Sequence, residues 1–103
     1  MADQAMFTSR ARVALAKPER FVGQLCKHFA NGGGLPTTLD GPHGQIEFEM
    51  GKCVLDAASE ADALVIDVTA ADQEALAKLE DVVERHLARF AFREQPSIEF
   101  IRA

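Results

Sequence analysis

Gln45-Ile46-Glu47-Phe48-Glu49-Met50-Gly51-Lys52-Cys53-Val54-Leu55-Asp56-Ala57 is the stretch whose reading decides the fold. Ile46, Phe48 and Met50 alternate with Gln45, Glu47 and Glu49, the two-residue period of a strand with one buried face. Gly51 breaks the run at a tight turn, and Cys53, Leu55 and Ala57 then build a second apolar face with the same period. Two such strands form a hairpin, and its one-sided apolar surface needs a covering layer.

Working outward, Thr37-Thr38-Leu39 and the turn Asp40-Gly41-Pro42-His43-Gly44 place another strand before the hairpin. Downstream, Ala58 to Asp62 supply a turn ahead of Leu64, Ile66 and Val68, so the middle of the chain reads as a four-strand meander. A first strand is expected from Phe7 to Leu15, where Phe7, Ser9, Ala11, Val13 and Leu15 alternate with Thr8, Arg10, Arg12 and Ala14. Pro18 suits the first helical position, with Glu19 at the positive end. Asn31-Gly32 is a left-handed stop, predicting a helix from Pro18 to Ala30. Asp72 caps a long second helix reaching about Phe92, with Glu74 in its first turn, Arg89 and Arg93 near its negative end, and Pro96 beyond. Ile98 and Phe100 fall on one side of a last strand over Ser97–Ile101.

The order β-α-β-β-β-β-α-β with one apolar sheet face predicts an α+β two-layer sandwich, an antiparallel sheet carrying both helices on one face. The β-α-β4-α part is similar in order to one repeat of the TATA-box-binding-protein fold; a ferredoxin-like relative is the alternative. At 103 residues, 48% hydrophobic and 26% charged, the chain makes one domain over residues 6–103, with residues 1–5 expected as a flexible lead. A net charge of -5 disfavours nucleic acid as a partner. Nothing approaches the roughly 18 apolar residues of a membrane span, and the start lacks the basic segment of a signal peptide, so a cytoplasmic location is expected. Cys26 and Cys53 are expected as free thiols.

The helical wheels single out two histidines. On the first helix Phe21, Val22, Leu25 and Phe29 fill an arc of about 100°, with His28 about 20° beyond one edge and Cys26 about 40° beyond the other. On the second, Ala75, Leu76, Leu79, Val83, Leu87 and Phe90 span about 120°, and His86 lies inside that arc. If both helices cover one sheet face, the two imidazoles approach each other or share a groove. The ordinary reading of each is a packed ring with satisfied nitrogens.

A metal centre calls for three or four convergent ligands. Cys26 and His28 point about 160° apart, and although Cys53 on an inward strand face is able to join the histidines, no metal site is assigned. Gly32-Gly33-Gly34 follows a helix instead of preceding one, so it is a connection and not a phosphate cradle. No cofactor fingerprint is present. A thiol enzyme or redox sensor using Cys53 or Cys26 with His86 is the alternative to a binding module. On the outer sheet face, Glu47, Glu49, Asp56, Asp67 and Glu99 outnumber Arg10, Arg12 and Lys52, against a DNA-binding role; Val54, Val65 and Ile101 leave room for a protein partner or a homodimer.

Four segments carry a resemblance: Ser9-Arg10-Ala11-Arg12-Val13, Gln24-Leu25-Cys26-Lys27-His28-Phe29-Ala30, Gly51-Lys52-Cys53-Val54-Leu55, and the run from Val82 through Arg85-His86-Leu87 and Arg89-Phe90-Ala91-Phe92-Arg93 to Glu94. In combination they resemble the bacterial family called domain of unknown function 2218, from about Phe7 to Phe100. One departure stands out: Asn31-Gly32-Gly33 occupies the place where the family pattern leads one to expect a basic residue or a histidine. The resemblance implies no assigned activity. It implies an association with siderophore-interacting flavoproteins of bacterial iron uptake, hence an accessory module for ferric-siderophore handling whose redox chemistry belongs to a partner. Arg10, Arg12, Arg89 and Arg93 would then face an anionic ligand. The expectation is a non-enzymatic module binding an unknown small ligand or protein, with His28, His86, Cys26, Cys53, Arg89 and Arg12 as candidate contacts and no cofactor of its own.

Overall fold

The alternating middle of the chain forms four consecutive antiparallel strands, β2 (Thr37–Asp40), β3 (His43–Phe48), β4 (Gly51–Asp56) and β5 (Ala63–Ala70). Ahead of them lie β1 (Phe7–Ala14) and α1 (Pro18–Lys27); behind them come α2 (Gln73–Phe90) and β6 (Ile101–Arg102). The computed structural model describes residues 6–103, so the expectation for residues 1–5 lies outside the described residues. The sheet has six strands in the order β2-β3-β4-β5-β1-β6, every neighbour antiparallel. The meander thus returns alongside the first strand, and the protein is the expected α+β sandwich.

Register explains the core. Ala11 pairs with Ile66, Ile66 with Leu55, and Leu55 with Gly44, so one row of inward residues crosses four strands. The next row runs from Ser9 through Val68 and Cys53 to Ile46. Both helices cover these rows: α1 buries Phe21, Val22, Leu25 and Cys26, and α2 buries Leu76, Leu79, Val83 and Leu87. Each large aliphatic side chain sealed there contributes about 1.5–3 kcal/mol relative to exposure, which makes this layer contact the main source of stability.

Two glycines set how closely the layers meet. A Cβ at Gly44 would stand 2.6 Å from Cys26 Sγ and 2.9 Å from Val22 Cγ1, so α1 lies flush on β3 there. At Gly51 a Cβ would stand 2.2 Å from the Thr69 carbonyl oxygen. Gly51 is therefore not the turn itself: the turn is Glu49–Met50, and Gly51 is the first paired residue of β4, bare because β5 passes too close for a side chain.

Local signals account for the element ends, with three differences from expectation. Asp72 accepts a hydrogen bond from the Ala75 amide at 2.7 Å and caps α2. That helix stops at Phe90, and residues 91–94 form turns in which the Glu94 carboxylate accepts from the Ala16 amide at 2.9 Å. The end of α2 is thereby tied to the entry of α1. The first helix is α-helical only to Lys27; His28–Gly32 form one wide π-helical turn, closed by the Gly33 and Leu35 amides donating to the Phe29 carbonyl at 3.2 and 3.1 Å. Last, the strand expected over Ser97–Ile101 shrinks to Ile101–Arg102, which pair with Arg10 and Ser9. Ile98 and Phe100 still pack against the core, through their side chains and not through a ladder.

Candidate functional site

The wide turn after α1 and the C-terminal half of α2 bring the two singled-out histidines together. The ring centroids of His28 and His86 lie 4.9 Å apart, with planes inclined at 46°. Phe29 contacts both, at 5.0 Å from His28 and 4.9 Å from His86, and Phe48 of β3 supports Phe29 edge-on at 5.0 Å. Phe90, one turn beyond His86, stands edge-on to His28 at 5.5 Å. Two imidazoles therefore sit on a phenylalanine floor at the rim of the helical layer, His28 exposed and His86 half-buried. A π turn at such a place fits the tendency of these bulges to occur at functional sites.

Hydrogen bonding distinguishes the two rings. His86 Nδ1 is 2.7 Å from the Val82 carbonyl oxygen. A carbonyl only accepts, so Nδ1 carries the proton and donates. In the neutral ring Nε2 is then left with its lone pair, the tautomer that a metal or a ligand donor meets. Among the described residues no hydrogen-bond partner is found for His28.

The other candidate contacts do not join this pair. Cys26 is buried against the sheet, its thiol 3.9 Å from the Thr38 carbonyl oxygen, and burial pushes its pKa up. Cys53, midway along β4, is sealed beneath both helices, and burial pushes its thiol up far more strongly. Neither sulfur is among the partners of the imidazoles. Arg12 is held by Glu60, and Arg10 grips Asp67 through Nε and Nη2 at 2.7 and 3.2 Å, both on the outer sheet face. Arg89 is exposed on α2, three residues past His86, with no carboxylate within 4.0 Å among the described residues. Arg93 lies over the Phe92 ring at 5.6 Å. A groove continues from Phe90 between the helices, past Arg20, Gln24 and Arg93.

On the outer face Val65 is buried and Val54 half-buried, leaving Ile101, 70% exposed, as the prominent apolar group. The strand alternation and the helical wheels place Phe29, Phe48 and Phe90 in the core without showing that Phe29 and Phe90 frame the histidines, and they do not reveal the π turn. The spacing of Phe90 four residues after His86 was the available signal. No group of three or more metal-ligating side chains is found among the described residues. Among the described residues no helix is long and apolar enough to cross a membrane.

A small antiparallel sheet backed by two helices, with paired imidazoles where the helices meet, places the protein in a class of compact α+β domains. The chain belongs to the family DUF2218, described as an uncharacterized protein conserved in bacteria, whose model matches residues 10–100. It is similar to the protein in the NMR structure of PA4090 from Pseudomonas aeruginosa, at 30% identity and a TM-score of 0.75, covering 92% of this chain and 95% of that one. No functionally curated protein matches it.

Proposed function

We propose that this chain is a non-enzymatic binding module serving siderophore-iron utilisation in the bacterial cytoplasm, with its ligand site at His28 and His86. The observation that carries the site is the 4.9 Å approach of the two rings, one of them half-buried with Nδ1 hydrogen-bonded to the Val82 carbonyl and Nε2 outside that bond. The chemistry suits an aromatic or anionic ligand: phenylalanine and imidazole faces offer stacking, and Arg20, Arg89 and Arg93 nearby oppose negative charge. The siderophore link rests on the family resemblance. The thiol reading is the weaker alternative, because both cysteines are buried and their thiols are kept protonated. Self-association through Val54 and Ile101 is a second partner reading, favoured by the exposure of Ile101. In light scattering, twice the chain mass supports it and a monomer at high concentration overturns it.

The test is native mass spectrometry of untagged protein purified without chelator, beside a His28→Ala, His86→Ala double variant. A bound species lost from the variant supports the site and identifies its ligand. For the siderophore link, titration with ferrioxamine B and with a ferric tris-catecholate is followed through the amide signals. Shifts around His28 and His86 support it, and an unchanged spectrum at millimolar complex overturns it.

A further inference from the structure

We propose that His28 and His86 form an open two-histidine site for a divalent first-row transition metal of the imidazole-preferring kind, zinc or nickel. This rests on reading the imidazole pair as a ligand site and adds a metal ion to the ligands that site can hold. With a metal–nitrogen bond of about 2.1 Å, and the ring centroid about 1.1 Å further on, each centroid stands about 3.2 Å from a bound ion. Two centroids 4.9 Å apart then subtend about 100° at that ion. That angle lies between the 90° of adjacent square or octahedral positions and the tetrahedral value of about 109°.

The tautomer agrees with the distance. Ligating histidines characteristically donate their second ring nitrogen to a carbonyl or carboxylate, which orients the ring and raises the basicity of the other nitrogen. His86 has this arrangement, donating from Nδ1 to Val82 at 2.7 Å and leaving Nε2 to bind. His28 is exposed and without a hydrogen-bond partner among the described residues, so it turns onto an ion by side-chain rotation alone. Phe29 beneath and Phe90 beside the rings limit the directions available to them.

With no third protein ligand among the described residues, the remaining coordination positions belong to water or to a small chelating molecule. The site is of the open type, which takes up and hands on an ion in preference to locking it into the fold. His43, the third histidine, is an internal control: it lies 3.8 Å from Asp56, where β3 and β4 pair, and makes none of the ring contacts of the pair.

The experiment uses the untagged chain, zinc(II) and nickel(II) salts, chelator-competition titration and nitrogen-15 imidazole spectra. The expected result is one ion per chain, zinc-induced shifts at Nε2 of His86 and at a ring nitrogen of His28, and an unmoved His43 signal. His28→Ala and His86→Ala each weaken binding at least about tenfold, and His43→Ala leaves it unchanged. Amide spectra of the exposed His28→Ala variant verify that the fold persists. Zinc affinity equal in wild type and double variant overturns the inference, as does one ion per two chains or no binding at millimolar metal. The two proposals separate cleanly. A ferric siderophore shifting the site in a protein that ignores zinc removes only the metal. Zinc binding through both imidazoles in a protein that ignores ferric siderophores removes only the siderophore link.

Discussion

Arg102, in the two-residue last strand, forks its guanidinium onto the Glu80 carboxylate of α2, with Nη2 and Nε 3.0 and 3.2 Å from the two oxygens. The strand itself contributes only two residue pairs to the sheet, and this ion pair adds to the packing of Ile98 and Phe100 in fastening the C-terminal end to the helical layer. The Arg102 hydrogen bonds hold the Glu80 carboxyl below its ordinary value of 4.5. A depressed carboxyl stabilises the folded state above the unfolded value, and that contribution disappears as pH falls through the folded one. Arg102→Leu is therefore expected to lower the urea midpoint at pH 7 and to lower it less at an acid pH below 4.5. Equal differences at the two pH values would contradict the pairing.

Gly44→Ala drives a methyl against Cys26 Sγ and Val22 Cγ1, at 2.6 and 2.9 Å. Overpacking of this kind costs about 1–3 kcal/mol. The opposing gain from a stiffer unfolded chain is about 0.4–1 kcal/mol, so the clash wins. Removing the sulfur with Cys26→Ala should recover part of the loss. Denaturation of the four proteins in a double-mutant cycle measures that coupling, and strict additivity would show that α1 does not rest on Gly44.

Cys53 makes alkaline stability predictable. Its thiol is raised from the ordinary 9.0 by burial, so the native state keeps the proton that the unfolded chain gives up. The contribution of this group is complete below pH 9 and is lost as pH rises beyond it, by about 1.4 kcal/mol per pH unit. Between pH 8 and pH 10 the wild type should lose more stability than Cys53→Ala by about this amount, read from chemical denaturation. A thiol reagent should leave both cysteines unmodified until the protein unfolds; rapid labelling at neutral pH would revive the redox reading.

Gly32→His tests the open site by completing it. A Cβ at Gly32 meets nothing within 4 Å, and residue 32 closes the π turn that His28 opens, which returns it to about the same side of the helix. The variant is expected to bind zinc about tenfold or more tightly than wild type, with three shifted imidazoles in the zinc-loaded spectrum.

Most of the architecture was legible because alternation over β1 and β3 to β5 admits one reading when one face is buried. What failed was local. Helical periodicity does not separate an α turn from a π turn, so the widening at His28–Gly32 was invisible. Ile98 and Phe100 alternate as a strand would, yet Gln95 at φ 48° and Pro96 redirect the chain, and only Ile101 and Arg102 reach the ladder. The wheels placed His28 just beyond the apolar arc of its helix and His86 inside the arc of its own, but contained nothing about how far one helix slides along the other. That offset decides whether the rings meet, and the Ala16 amide donating to the Glu94 carboxylate is one contact that ties the two helices together.

The chain contains no tryptophan and no tyrosine, and two of its seven phenylalanines, Phe29 and Phe90, contact the histidine pair. The protein is consequently expected to be almost dark to conventional fluorescence, while the ring currents of these edge-on and tilted rings are expected to displace the imidazole protons of His28 and His86 from the positions that isolated histidines occupy. Anything that parts the two rings, a metal ion, an aromatic guest or a slip of one helix, will move those two proton signals and leave His43 where it was. The molecule carries its own reporter at the place where its ligand is proposed to bind.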